Sequence, residues 1–183
     1  MHTLSFGLLM ASLLSSVFAT TLSPSSVTDG KLHGILPVVN QKVTYSEVVD
    51  CGSVSQVDLF RRARLWIAQS SSSSTSTFSL NDKETGDLVS RGKQVVSMPR
   101  SESFAGGVFS FRYSFVIECS NRKYRATITQ IDVEDGNSDK LTPIEVYSQR
   151  NEKDLQLIYQ ELDKQLKGTL QLLQENVKNY KGF

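Results

Sequence analysis

Val108-Phe109-Ser110-Phe111-Arg112-Tyr113-Ser114-Phe115-Val116-Ile117-Glu118-Cys119, the break Ser120-Asn121-Arg122-Lys123, and Tyr124-Arg125-Ala126-Thr127-Ile128-Thr129-Gln130-Ile131 decide the fold. In the first run Phe109, Phe111, Tyr113, Phe115 and Ile117 fall on one side, with Ser110, Arg112, Ser114 and Glu118 on the other. That period of two is the mark of a strand with one side in a core and the other in water. Tyr124, Ala126 and Ile128 repeat it, so the stretch reads as two antiparallel strands joined by a tight turn. The hairpin anchors the fold and specifies no chemistry.

Working outward toward the N-terminus, residues 42–50 alternate Val43, Tyr45 and Val49 with Thr44, Ser46 and Asp50, a strand in which Glu47 and Val48 are out of phase. Ser55-Gln56-Val57-Asp58 has the form of a capping box, whose hydroxyl and carboxylate satisfy the free N–H groups of a first helical turn. Leu59, Ala63, Trp66 and Ile67 then recur at helical spacing opposite Arg61, Arg62 and Arg64, and Trp66 on the apolar stripe is expected as a core anchor rather than a sugar-stacking platform. The serine tract over residues 70–77 reads as a linker. Strands are predicted at 77–80 and 88–96 around the turn-forming Asn81-Asp82-Lys83-Glu84-Thr85-Gly86-Asp87, and a longer connection with Pro99 and Gly106-Gly107 leads into the hairpin.

On the other side, residues 134–148, with Asp135-Gly136-Asn137 and Pro143, lead to a last helix from near Asn151 to about Tyr180. Its stripe of Leu155, Ile158, Leu162, Leu166, Leu170, Leu173, Val177 and Tyr180 suits core packing, with a coiled-coil or partner-binding helix, self-association included, as the sharper alternative, and Gly168 is a local weak point. The order strand, helix, four strands in meander, helix defines an α+β fold with a five-stranded antiparallel sheet.

Residues 1–19 hold nine large apolar side chains, no charged one, and end on Val17-Phe18-Ala19, the pattern of a secretory signal peptide cleaved after Ala19. Residues 20–35, containing Ser23-Pro24-Ser25-Ser26 and Asp29-Gly30, are expected as a flexible lead-in, and residues 36–183 as one domain. A periplasmic or secreted location is implied, with no stable membrane insertion after cleavage. The 20 Lys and Arg against 19 Asp and Glu give a formal charge of +1, which disfavours capture of nucleic acid. Cys51 and Cys119 fit either one disulfide or two buried thiols, and the thiol reading is preferred because their strands are not expected to be neighbours.

Past Ala19 a single histidine, His33, remains, so histidine triads and His-rich metal sites have no parts; glycine-loop nucleotide motifs are missing as well, and no cofactor is expected. Asp132, Glu134 and Asp135 cluster after the hairpin and are the only carboxylates that suggest acid–base work, in an envelope hydrolase, though such a loop is ordinarily a solvated turn. Greater interest attaches to the wet side of the sheet. Arg112 and Arg125 fall there among Thr127, Thr129, Ser110 and Ser114; Arg91 and Lys93 on the preceding strand are candidates to join them, though Leu88 and Val89 leave that strand's parity open, and guanidinium forks suit carboxylate or phosphate partners.

Four segments, Val43-Thr44-Tyr45-Ser46-Glu47-Val48-Val49, Asp58-Leu59-Phe60-Arg61-Arg62-Ala63-Arg64-Leu65-Trp66-Ile67, Glu84-Thr85-Gly86-Asp87-Leu88-Val89-Ser90-Arg91-Gly92-Lys93 and Tyr124-Arg125-Ala126-Thr127-Ile128-Thr129-Gln130-Ile131, carry a resemblance over about residues 36–133. Together they resemble an exported bacterial family of domains of unknown function with a TBP-like fold, that is, a fold like the TATA-box-binding protein. The resemblance implies a curved sheet with both helices on its convex side, and it carries no catalytic residues. Likeness to a DNA-binding saddle is architectural only. The expected role is a non-enzymatic module of the bacterial envelope that binds an envelope protein or a small anionic ligand through Arg91, Lys93, Arg112 and Arg125.

Overall fold

The computed structural model describes residues 27–70, 78–101, 106–134, 140–149 and 151–180. The expected signal peptide, the serine tract at 71–77 and Asp135 lie outside them. Described structure begins inside the expected lead-in, where β1 (Val27–Thr28), β2 (Lys31–Leu32), β3 (Leu36–Val39) and β4 (Lys42–Val43) form a small antiparallel ladder in sequence order. This corrects the reading of residues 27–35 as a flexible lead-in: Leu32 and Leu36 are buried in the common core. Two-residue strands are too short to show periodicity. Their turns use left-handed backbone at Asp29, Gly30, His33 and Gly34, which in sequence looks like loop composition.

The expected first strand is broken at Thr44 into β4 and β5 (Tyr45–Asp50). After it come α1 (Gln56–Ser70), β6 (Phe78–Asp82), β7 (Asp87–Met98), β8 (Gly107–Ser120), β9 (Lys123–Glu134), β10 (Leu141–Pro143), a 3-10 turn at Ile144–Val146, and α2 (Glu152–Lys178). The larger sheet runs β10-β9-β8-β7-β6, with β5 also paired to β9, and all its pairings are antiparallel. It is thus six-stranded rather than five-stranded, the extra strand being β10 within the expected connection. The helix start is as the capping box requires: Asp58 N–H donates to Ser55 Oγ at 3.2 Å.

Both helices lie on one side of this sheet. Trp66 of α1 meets the Phe115 ring edge-on at 5.8 Å between centroids. From α2, Asp163 Oδ1 accepts from the Tyr45 hydroxyl at 2.9 Å, and Gln165 Oε1 accepts from Gln94 Nε2 at 2.7 Å. Phe115, Tyr45 and Gln94 share the inner face by register, since Phe115 pairs with Ser90 and Ile128, Tyr45 with Ile128, and Gln94 with Phe111. Beneath the helices Phe111, Tyr113, Phe115, Ile117, Tyr124, Ala126 and Ile128 are buried, as the alternation predicts, and Phe109 at the end of the row is half-buried. The α2 stripe from Leu155 to Val177 is buried in the same core. Self-association through that stripe therefore has no exposed stripe to use, and only Leu157 and Leu172 of the helix's large apolar side chains lie outside.

An irregularity in β9 sets the make-up of the outer face. Between the pairs Ser114↔Thr129 and Arg112↔Asp132, β9 carries one residue more than β8, and Gln130 takes a left-handed φ of 52°. This β-bulge reverses the alternation beyond it. Ile131 and Val133 turn inward and are buried, while Asp132 and Glu134 turn outward.

Candidate functional site

The outer face of the sheet holds all four cations proposed from sequence. Register places Arg91 opposite Ser114, Lys93 opposite Arg112, and Arg125 between Glu118 and Val48. Three of them are already engaged. Arg125 grips Glu118 with two parallel bonds, Nε to Oε2 and an NH2 nitrogen to Oε1, each 2.7 Å, which holds the Glu118 carboxyl below the ordinary range and raises the guanidinium further. Lys93 Nζ lies 2.7 Å from Glu134 Oε2, and Arg112 donates to Glu134 Oε1. Hydrogen bonds from these two cations lower the Glu134 pKa. Arg91 is exposed and makes no ion pair among the described residues. The four therefore form two separate clusters and one unpaired cation rather than one anion-binding fork.

Glu134 is the residue sequence reasoning missed as a partner. It reads as part of a loop with Asp132, but both belong to β9, and the bulge at Gln130 turns Glu134 onto the same face as Lys93 and Arg112. This corrects the assignment of Asp132 and Glu134 to an acidic loop. The amide of Gln130 covers Ser114, whose hydroxyl donates to Oε1 at 2.8 Å, so Ser114 is buried although it faces outward. The face also carries apolar groups: Val48, Val95 and Val108 point outward and remain 64%, 45% and 69% exposed. Two grooves of ≈ 260 and ≈ 390 Å³ lie along α2 and between α2 and the end of β7, not over this face.

The likeness to known proteins lies in this architecture. Residues 45–134 match the model of a family described as a domain of unknown function (DUF4468) with TBP-like fold. Those residues are a DUF4468 domain. Among solved structures, a TBP-like protein from Parabacteroides distasonis superposes with a TM-score of 0.63 at 18% identity, covering 80% of this chain and 99% of its own. A DUF4468 family protein from Bacteroides ovatus gives 0.60 at 12% identity, covering 75% and 89%. Both show a shared fold. No curated protein matches the chain.

The inner face of the DUF4468 segment has its own polar cluster. Glu47 pairs in register with Ala126 and so points inward; its Oε1 is buried without a hydrogen-bond partner, and burial raises its pKa. The Tyr124 hydroxyl nearby is likewise buried and unpartnered, its pKa raised by burial and then by Glu47. Cys51 and Cys119 are buried, unbridged thiols, in line with the preferred reading, and burial pushes Cys119 up to about 12. Among the described residues no group of three or more His, Cys, Asp or Glu is placed to hold a metal ion, and no helix is long and apolar enough to cross a membrane.

Proposed function

We propose that this protein is exported to the bacterial envelope and acts there as a non-enzymatic binding module whose partner is a protein docking on the outer face of the sheet. The observation that carries the reading is the make-up of that face. Lys93, Arg112 and Arg125 already hold carboxylates of their own, which leaves little for a small anion to neutralise. Exposed valines between these ion pairs give the mixture of apolar area and oriented charge that protein interfaces use. The apolar, uncharged residues 1–19 support export.

The test places a photo-crosslinking residue at Val95 or Val108 and, as control, at the exposed Gln171 of α2, in cells that make the protein. A discrete crosslinked protein from the two valine positions and none from Gln171 is expected. Equal crosslinking from all three positions, or none, overturns the reading.

A further inference from the structure

Helix α1 buries Leu59, Phe60, Ala63 and Ile67, so its opposite face carries Val57, Arg61, Arg64 and Leu65 outward. Val57 and Leu65 stand four residues before and after Arg61, on the same stripe, and remain 49% and 37% exposed. The end of α2 lies beside this stripe. Arg61 donates to the Tyr180 hydroxyl at 3.4 Å and Arg62 to the Val177 carbonyl at 3.0 Å. Both guanidinium groups also face the Tyr180 ring, 5.8 and 5.4 Å from its centroid. Burial raises the Cys51 thiol while Lys178 and Arg62 oppose the rise, which places Lys178 near the same group.

None of Arg61, Arg62, Arg64 and Lys178 has a carboxylate partner among the described residues. The acidic side chains around them are engaged elsewhere: Asp58 with Ser55, Glu175 with Gln171, and Asp50 with the Gly52 N–H. The adjoining segments outside the described residues, 71–77 and 181–183, contain no Asp or Glu, and the second adds Lys181. On the outer face of the sheet, by contrast, Glu118 and Glu134 neutralise three of four cations. The helical layer thus gathers four uncompensated positive charges in a chain whose formal charge is only +1.

We propose that this end of the helical layer docks on an anionic lipid surface, with Arg61, Arg62, Arg64 and Lys178 on lipid phosphates and Val57 and Leu65 at the acyl boundary. Arg61 and Arg62 are held by neutral partners, so their charge is kept and their remaining N–H donors stay free for phosphate oxygens. Charge complementarity selects an anionic partner, and the exposed valine and leucine within the cationic stripe select one that offers hydrocarbon beside its phosphates. An acidic polypeptide would set carboxylates against those two side chains. The contact is made at the surface, since among the described residues no helix is long and apolar enough to cross a membrane. The inference goes beyond the binding-module reading and is compatible with it: α1 covers the inner side of the sheet, so the outer face points away from the lipid.

The probe is a vesicle of phosphatidylglycerol and phosphatidylcholine in equal parts, and the readout is flotation of the purified protein at low salt. Binding is expected to these vesicles and not to pure phosphatidylcholine, and it should fall as salt is raised. Arg61→Gln combined with Arg64→Gln is expected to weaken it about tenfold. Lys153→Gln, at the far end of α2, is expected to leave it unchanged, each variant being checked as folded by circular dichroism. A polarity-sensitive dye on Val57→Cys should move to the blue with vesicles, and one on Val95→Cys should not. Equal flotation with neutral vesicles, no loss in the double variant, or a blue shift at Val95 overturns the inference. Release of the protein by inorganic phosphate at the same phosphate concentration overturns it in favour of a free anion, and release by polyglutamate at the same charge concentration in favour of an acidic protein.

Discussion

The Tyr113 ring lies so close over Gly92 that a Cβ built on the glycine would fall 2.3 Å from its Cε2 and Cζ atoms. The two residues are paired across β7 and β8, and Tyr113 is buried beneath α2. The glycine is required for space, and the aromatic ring covers the gap that a strand glycine leaves. Gly92→Ala is expected to destabilise the protein by about 1–3 kcal/mol, as overpacking does. Gly168 inside α2 is the opposite case, with nothing within 4 Å of a Cβ there. Gly168→Ala is expected to stabilise by about 0.5–1 kcal/mol. Chemical denaturation of the two variants measures both signs.

Glu145, in the 3-10 turn before α2, is buried, and its Oε1 accepts from the Val43 N–H at 2.8 Å while Oε2 lies 3.5 Å from Lys42 Nζ. It fastens the N-terminal ladder to the C-terminal part of the chain. Glu145→Ala leaves a buried N–H without an acceptor and is expected to cost about 1–3 kcal/mol. Glu145→Gln keeps an acceptor oxygen and should cost less, which urea denaturation of the pair will show.

Two carboxylates are expected to shape the acid limb of stability in opposite senses. Glu134 has a depressed pKa, so its ion pairs contribute fully above the ordinary carboxylate range, and that contribution is lost as pH falls through the depressed value. Glu134→Gln should therefore lower the thermal midpoint at pH 7 and make no difference in strong acid. Glu47 has a raised pKa, so its buried charge costs stability above that value and the cost disappears as pH falls. Glu47→Gln should raise the midpoint at pH 7, with the gain vanishing below about pH 4.3. Thermal melts from pH 2 to 8 test both signs, and the same direction for both variants at pH 7 would refute the assignment.

Leucines of α2 should separate sharply by face. Leu162 is fully buried and Leu172 is 54% exposed. Leu162→Ala is expected to cost about 2–5 kcal/mol, and Leu172→Ala to stay within about 0.5 kcal/mol. Similar losses at both positions would show that α2 is buried by another molecule as well.

The hairpin of β8 and β9 was legible because its aromatic alternation is long, and α2 because its stripe persists for the whole helix. Glu47 and Val48 show where hydropathy misleads: β5 alternates strictly, with Glu47 inward and Val48 outward, since pairing to β9 sets which side each residue faces. At Gln130 nothing in the residue type announces an extra residue, so the turn of Glu134 onto the cationic face was hidden. Alternation put Arg112 and Arg125 on the outer side of the sheet, whereas the side taken by Arg91 and Lys93 stayed open in the sequence because Leu88 and Val89 are consecutive apolar residues, and only pairing to β8 decides it. Alternation gave no view of their neutralisation, because Glu118 and Glu134 are set beside them by cross-strand register rather than by proximity in sequence.

Helix α2, residues 152–178, lies wholly beyond the 45–134 segment that carries the family signature. A protein trimmed to that signature would keep every strand of the hairpin yet lose the roof over Phe111 and Tyr113, leaving a greasy slab in place of a core. Such a fragment is expected to precipitate or to pair with itself. The stretch that matches the family model is thus shorter than the stretch that closes the core.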